Sequence, residues 1–337
     1  MKKTYVKILS CVSAASFLLT LSSCGDSKKK LESTKEDKTV VMTVGEYEVP
    51  LELYKYVALN TKSDYEKGDG SDIWLGESGA AKLSELEDSI NETIVHLYTT
   101  LYVCDEYGIS PDDSYITDAL DIQMDAIYEG YENDYDVYAE EIAEYHMNDS
   151  VYRFITRNDI LSEELIHKMM DDKVIPSTDE ELEGIISGPD FIHVKQILIS
   201  NDNGNSEEEN LALAEDILKK LNNGADFDEM IQQYGGDLYL FNTDNGYYIS
   251  RGSYHEAFEE AAFSLEIGEI SGIVKTDAGF SIIKRYPKDA EFIAENFNVL
   301  ADDYIRGRYN LILAEKEKEL SVTYTDAMEK YPVLSLK

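Results

Sequence analysis

Few residue types in this chain could carry metal or covalent chemistry, and their spacing supports neither. There are five histidines and three cysteines in 337 residues. His96, His146 and His167 fall on stretches of helical periodicity and share no ligand spacing, so no metal centre and no cofactor are expected. Cys11 lies in an N-terminal apolar run, and Cys24 ends the tetrapeptide LSSC. Cys104 sits on an apolar helical face, where a cysteine acts as a small buried hydrophobe. The remaining histidines, His193 and His255, fall in the stretch Phe191–Lys288, whose order of elements is the clearest in the chain.

That stretch opens with FIHVKQILIS, an apolar, β-branched run suited to a buried strand. After the polar turn NDNGNSEEEN, Leu211, Ala214, Leu218 and Leu221 mark one face of a helix. Asn223-Gly224 stops it, and Asp226 is placed to cap a short helix ending at Tyr234. GYYISRG reads as a second strand, and YHEAFEEAAFSL as a helix with Phe258, Ala262 and Phe263 inward. SGIVKTDAGFSIIKR then gives two short strands joined by Asp277-Ala278-Gly279. This order describes a compact α+β domain.

At the blocks QILI, GADFDEMIQQY, NGYYISRG, FEEAAFSLEIGEISGIVKT and GFSIIKR the stretch resembles the parvulin-type peptidyl-prolyl isomerases, and among them the extracytoplasmic foldase lipoproteins. The resemblance implies a small mixed sheet with flanking helices, binding of X–Pro segments and rotation about the X–Pro amide. It also implies a site. Phe258 matches the aromatic floor of the family's proline pocket, and Tyr254 takes the place of an adjacent methionine. Asp237 matches the Cys-or-Asp position and Thr276 a threonine before the last turn. Gln196 and Ser281 stand where the family carries its two histidines. Both can hydrogen-bond and could keep a polar cluster connected with Asp237 and Thr276. His193 lies three residues before Gln196 and so faces the other side of the strand, while His255 reads as a surface helix residue.

At the N-terminus, Lys2, Lys3 and Lys7 precede an apolar run from Ile8 to Leu21, and LSSC follows. This resembles the lipobox of bacterial lipoproteins, with cleavage before Cys24 and a lipid on its thiol. Residues 1–23 are then a signal peptide and 24–39, polar and unpatterned, a tether. An exported chain left with Cys104 alone has no internal disulfide, so its stability comes from packed cores.

Residues 40–180 read as a mainly helical lobe, in which Ile175-Pro176-Ser177 breaks the helical pattern and begins a linker toward the next domain. VVMTVGEYEV predicts a hairpin turning near Gly45, and Pro50 opens a helix. Leu83, Leu86, Ile90, Ile94, Leu97, Leu101 and Cys104 mark a long helix that Gly108 and Pro111 end. Ile116, Leu120, Met124 and Ile127 mark another, and Phe154, Leu161, Leu165 and Met169 a third. Beyond 189–288, the isomerase-like domain, Ile293, Phe297, Leu300 and Tyr304 predict one more helix, which needs a partner face. The faces of residues 80–175 are the nearest candidates. The foldases that the chain resembles build one lobe from both chain ends around an inserted isomerase domain, and the resemblance implies that residues 289–337, with the short strand SVTYT, complete the N-terminal lobe in the same way. Fourteen of the 25 tyrosines fall between Tyr47 and Tyr152, suited either to a tyrosine-rich core or to adaptable contact with unfolded chains.

The net charge is -38, which argues against nucleic acid and against electrostatic attraction to anionic lipid. It suits a well-solvated surface or cationic clients. A solute-binding lipoprotein would share the N-terminus but needs repeating βα units that are absent here. Two readings remain. One is a lipid-anchored, exported isomerase and chaperone acting on unfolded polypeptides with X–Pro bonds; the other is a non-catalytic holdase with a degenerate site. For the anchor, Cys24→Ala is expected to leave the protein unprocessed and unlipidated. A fatty-acid label that still marks this variant in cells would overturn the assignment.

Overall fold

A computed structural model describes residues 31–337 apart from 68–69 and 238–244. Residues 1–23, Cys24 and the first part of the tether lie outside the described residues. The chain divides into two compact units, Met1–Lys168 with Leu313–Lys337, and Met169–Ile312.

In the first unit, β1 (Val40–Val44) and β2 (Tyr47–Pro50) form the expected hairpin, with Gly45 at φ +55° in the turn. L-residues with a Cβ rarely adopt such a φ. β7 (Val322–Tyr324) pairs antiparallel on the other edge of β1, Met42 opposite Tyr324. Helices α1 (Leu51–Glu66) and α2 (Gly76–Tyr107) follow, α2 burying Leu86, Ile90, Ile94, Leu97, Leu101 and Cys104 as its spacing requires. α3 (Ser114–Gly130) and α5 (Asp149–Asp171) are the other expected helices. Between them lies α4 (Tyr135–Ala143), absent from the sequence reading, capped by the Asp134 carboxylate accepting from Asp136 and Val137 N–H. Tyr128 and Tyr138 are buried and meet edge to face at 5.2 Å, so part of the tyrosine excess is core. Tyr115 and Tyr145 are exposed.

The second unit begins with α6 (Asp179–Ser187), where the sequence reading had a linker. Its start is a reciprocal capping box: Thr178 accepts from Glu181 N–H, and Glu181 accepts from Thr178 N–H. β3 (Ile192–Ser200), α7 (Glu207–Asn222), α8 (Phe227–Tyr234), β4 (Tyr247–Ile249), α9 (Glu256–Ser264), β5 (Ile270–Thr276), β6 (Gly279–Tyr286) and α10 (Ala290–Glu317) follow. The four strands make a sheet of order β4-β3-β6-β5. The α+β class holds, but each pairing is antiparallel, where a mixed sheet was expected. The two-residue turn between β5 and β6 reverses the chain, and β3 runs against both β4 and β6, so no strand has a parallel neighbour.

Residues alternate cleanly across this sheet. Ile197, Ile199, Phe280 and Ile282 pack with Ala214, Ile217 and Leu221 of α7 and Phe227 and Ile231 of α8. The α7 face is turned slightly from its expected position: Leu211 is exposed and Ile217 takes the inward place. On the opposite side, Ile192, Val194, Ile249 and Ile283 pack against Phe258, Ala262 and Leu265.

The start of α10 departs from expectation. Ile293, Phe297 and Tyr304 pack with Leu300 against Leu182, Ile186, Phe191 and Tyr248, all within the second unit. The reason is local. Phe191 and Tyr248 leave an apolar patch on the sheet, and a helix starting three residues after β6 reaches it first. The second unit accordingly extends to Ile312, and only Leu313–Lys337 belong with the N-terminal lobe.

Burial of large side chains in this cluster contributes about 1.5–3 kcal/mol each. A fragment of residues 169–312 is therefore expected to exceed residues 189–288 in stability by at least about 3 kcal/mol. Urea unfolding of the two fragments measures the difference, and equal midpoints and slopes would remove α10 from the domain core.

Candidate functional site

The register of β3 against β6 assembles the site. Leu198 pairs with Ser281 and Gln196 with Ile283, so Gln196 and Ser281 project from the same face. On β5, Val274 pairs with Ser281, which puts Thr276 on that face as well. Tyr247 pairs opposite Val194, two residues before Gln196, and joins them. β4 covers β3 only as far as Val194. Beyond it the edge of β3 is taken by the segment after α8, where Gly236 N–H donates to the Leu198 carbonyl at 2.7 Å. That bond carries Asp237 to the site.

The side chains form one directed chain. Ser281 Oγ donates to Gln196 Oε1 at 2.8 Å, and Gln196 Nε2 donates to Asp237 Oδ2 at 2.7 Å. The Tyr247 hydroxyl donates to the same carboxylate oxygen. Ser281 and Asp237 are both buried, so these bonds work in a low dielectric and those to the carboxylate are charge-assisted. Burial first, then its bond to Asp237 and the charge there, push the Tyr247 phenol well above the usual tyrosine range. Three of the four polar residues expected from the sequence are thus joined. Thr276 is not in this chain: its hydroxyl donates to the Gly279 carbonyl at 3.3 Å and closes the β5–β6 turn.

The apolar side of the site comes from α9. The Tyr254 ring lies 5.6 Å from Phe258 and 5.7 Å from Tyr247, linking the apolar wall to the polar chain. Phe258 is only 4 % exposed and belongs to the sheet core, whereas Tyr254 is 39 % exposed. Of the two rings, Tyr254 is thus the one open to solvent, and Phe258 lies in the core beside it. Removing the Phe258 ring would cost core packing as well, about 3–5 kcal/mol.

Both histidines of this stretch differ from a simple surface role. His193 is packed on the far face of the sheet, its ring stacked on Tyr248 at 4.4 Å. Its Nδ1 and Nε2 lie 2.9 and 2.6 Å from the carbonyl oxygens of Pro287 and Asn245. His255, expected as a surface helix residue, is the N-cap of α9: its Nδ1 accepts from Ala257 N–H at 3.2 Å. Its Nε2 lies 3.8 Å from the Asp277 carboxylate. Among the described residues no group of three or more His, Cys, Asp or Glu could hold a metal ion. Tyr247 is the residue that sequence reasoning missed. Its signal was there, in strand alternation: one residue of the Tyr247-Tyr248 pair had to share the face of Gln196.

Residues 181–288 match the PPIC-type PPIASE domain family. The chain is 29% identical over 209 residues to the foldase protein PrsA of Oceanobacillus iheyensis, a match covering 59% of this chain and 61% of that protein. With the foldase protein PrsA of Clostridium botulinum strain 657 it shares 23% identity over 345 residues, 98% of this chain and 96% of that one. A solved structure of the peptidylprolyl isomerase PrsA from Bacillus anthracis aligns with 67% of this chain and 93% of its own, at 21% identity and a TM-score of 0.35.

The Tyr247 bond has a measurable pH signature. A phenol whose folded-state pKa is raised holds its proton more tightly when folded. Its contribution is complete below the unfolded value, about 10, and is lost as pH rises above it. Tyr247→Phe is expected to cost about 1.5–3 kcal/mol at neutral pH. The wild-type advantage should stay level to about pH 10 and then shrink by about 1.4 kcal/mol per pH unit. Urea unfolding of both proteins across that range checks it, and a gap that stays flat above pH 10 would remove the bond.

Proposed function

We propose that the chain is a parvulin-type, PrsA-like protein, an exported foldase that binds proline-containing segments of unfolded polypeptides and speeds their isomerisation. The observation that carries this reading is the unbroken chain Ser281–Gln196–Asp237–Tyr247 beside the Tyr254 wall. Rotation about an X–Pro amide breaks no bond. Its barrier, about 18–20 kcal/mol, is the resonance lost on twisting. A site lowers it by seating the proline ring on an apolar surface and disfavouring the planar form. Tyr254 and Phe258 supply the seat. In the planar amide the carbonyl oxygen carries extra negative charge, so a carboxylate held nearby favours the twisted form. Gln196 and Tyr247 hold Asp237 for that role, Ser281 orients Gln196, and Thr276 keeps the adjoining turn in place. None of these steps needs a proton to move.

A second reading, a holdase that binds without catalysis, is favoured by the replacement of both family histidines by Gln196 and Ser281. In either case the clients are exported polypeptides. LSSC and the polar segment after it support a lipid anchor at Cys24 on the extracytoplasmic face of a bacterial membrane. The pairing of β7 with β1 supports an isomerase domain inserted into a lobe built from both chain ends.

A protease-coupled proline-peptide assay separates the readings, run on residues 169–312 and on the full chain. Parent activity equal to that of the Gln196→His, Ser281→His double variant would make Gln196 and Ser281 competent in place of the histidines. Activity only in the double variant, exceeding the product of the single effects, would make the site degenerate but rebuildable. Peptide binding without activity in any of them would leave the holdase. Tyr254→Ala is the control for binding, because Phe258→Ala also opens the core.

A further inference from the structure

Tyr254 is held in place by a loop with no regular structure of its own. Between β4 and α9 the chain runs through Ser250, Arg251, Gly252, Ser253 and Tyr254, and the N–H groups of the last three converge on one side chain. One atom satisfies all of them. Glu259 Oε1 accepts from Gly252, Ser253 and Tyr254 N–H at 2.8, 2.9 and 2.8 Å. The side chain is buried, which pushes its pKa up, while the three N–H groups and the Arg251 charge pull the other way.

An acidic residue in a first helical turn ordinarily serves its own helix, through the dipole or a cap. Glu259 is placed differently. The cap of α9 is His255, whose Nδ1 takes the Ala257 N–H, and the Glu259 carboxylate reaches back past the helix end to the loop. Its three acceptor bonds therefore fix the loop and not the helix.

The other side of the same loop rests on α10. Gly252 has φ +93°, and a Cβ there would lie 2.2 Å from the Gly307 carbonyl oxygen. A Cβ on Gly307 would lie 2.7 Å from Ser253 Oγ and 3.0 Å from the Arg251 carbonyl oxygen. Ser253 Oγ donates to the Asp303 carbonyl at 3.4 Å, and Asn310 Nδ2 donates to the Gly252 carbonyl at 3.3 Å. Two glycines facing each other let the loop backbone lie directly on the helix, with Glu259 holding it from behind.

We propose that Glu259 is a positioning residue: its carboxylate presses the Gly252–Tyr254 loop against α10 and so sets the placement of the Tyr254 ring in the proline-binding wall. The proposal rests on the reading of that wall as a proline-peptide site. It adds that the placement of the wall depends on the buried Glu259 carboxylate and on α10.

The test uses the full chain with meta-fluorotyrosine incorporated and the Tyr254 fluorine resonance assigned through Tyr254→Phe. In Glu259→Ala that resonance is expected to move toward the free amino acid, and the Kd for the peptide Ala-Ala-Pro-Phe to rise roughly tenfold. The resonance of Tyr234, on α8, should stay in place. Glu259→Gln keeps an oxygen facing the three N–H groups and should restore most of both readouts, a rescue that loss of bulk packing would not give. Gly307→Ala, with Glu259 intact, pushes the loop from the other side and should move the same resonance. It also serves if Glu259→Ala does not fold. An unmoved Tyr254 resonance in folded Glu259→Ala, or in Gly307→Ala, would overturn the proposal. So would a Glu259→Gln protein as weak as the Ala variant. A wild-type chain that binds no proline peptide would instead sink the site reading, with the fluorine shift still deciding whether Glu259 places Tyr254.

Discussion

Pairing along β3 and β6 runs without a break from His193 opposite Tyr286 to Ser200 opposite Gly279, and the second unit depends on that ladder. Side chains alternate with a period of two, so a slip of one residue would carry Gln196 to the far face and leave Asp237 without its donor. The register is well defended. Each face has its own apolar set, with Ile197, Ile199, Phe280 and Ile282 under α7 and α8, and Ile192, Val194 and Ile283 under α9. Exchanging them would bury Gln196 and Ser281 in the α7 core and expose isoleucines. The polar chain is thus a consequence of how the apolar residues sort. It persists because the sheet has no other acceptable register.

Placing a carboxylate beside such a core carries a penalty unless its oxygens find donors. Asp237 has them from two strands, Gln196 on β3 and Tyr247 on β4. The carboxylate of Glu259 repeats the solution with backbone donors from one loop. These two anions bracket the Tyr254 ring. The first sits at its polar edge through Tyr247, and the second fixes the backbone from which it hangs. Order in an irregular segment here comes from concentrated hydrogen bonding to charge, where the regular elements rely on apolar burial.

Most of this was legible wherever it depends on local pattern. The strand FIHVKQILIS, the cap at Asp226, the hairpin at Gly45 and the face of Gln196 relative to His193 follow from alternation, capping chemistry and turn residues. The start of α6 was legible too, since Thr178 and Glu181 carry the capping-box spacing, but the Pro176 break before it read as a linker. The role of Tyr247 needed the pairing of β4 with β3, which brings together residues some fifty positions apart. The partner of the α10 apolar face was likewise beyond reach. Periodicity shows that Ile293, Phe297 and Leu300 need cover, but not that Phe191 and Tyr248 supply it. Thr276 was expected in the polar cluster, and its bond to Gly279 instead depends on a turn geometry that residue type alone does not fix.

At the two positions where the resemblance implies histidines, Gln196 and Ser281 keep the connection and change what it can respond to. A neutral imidazole passes a hydrogen bond along by accepting at one nitrogen and donating from the other. The Gln196 amide does the same with Oε1 and Nε2, so the direction from Ser281 to Asp237 survives. An amide cannot take up a proton near neutrality, and a serine hydroxyl cannot either. A site built on imidazoles changes charge over the range where they titrate, and with it the potential felt by a bound amide. In this chain the two positions stay neutral throughout, so no group between Ser281 and Asp237 can introduce a positive charge to offset the carboxylate. Under the proposed function, the electrostatics presented to a twisting X–Pro bond would then be fixed by geometry, by how closely the Tyr254 wall seats the proline against Asp237.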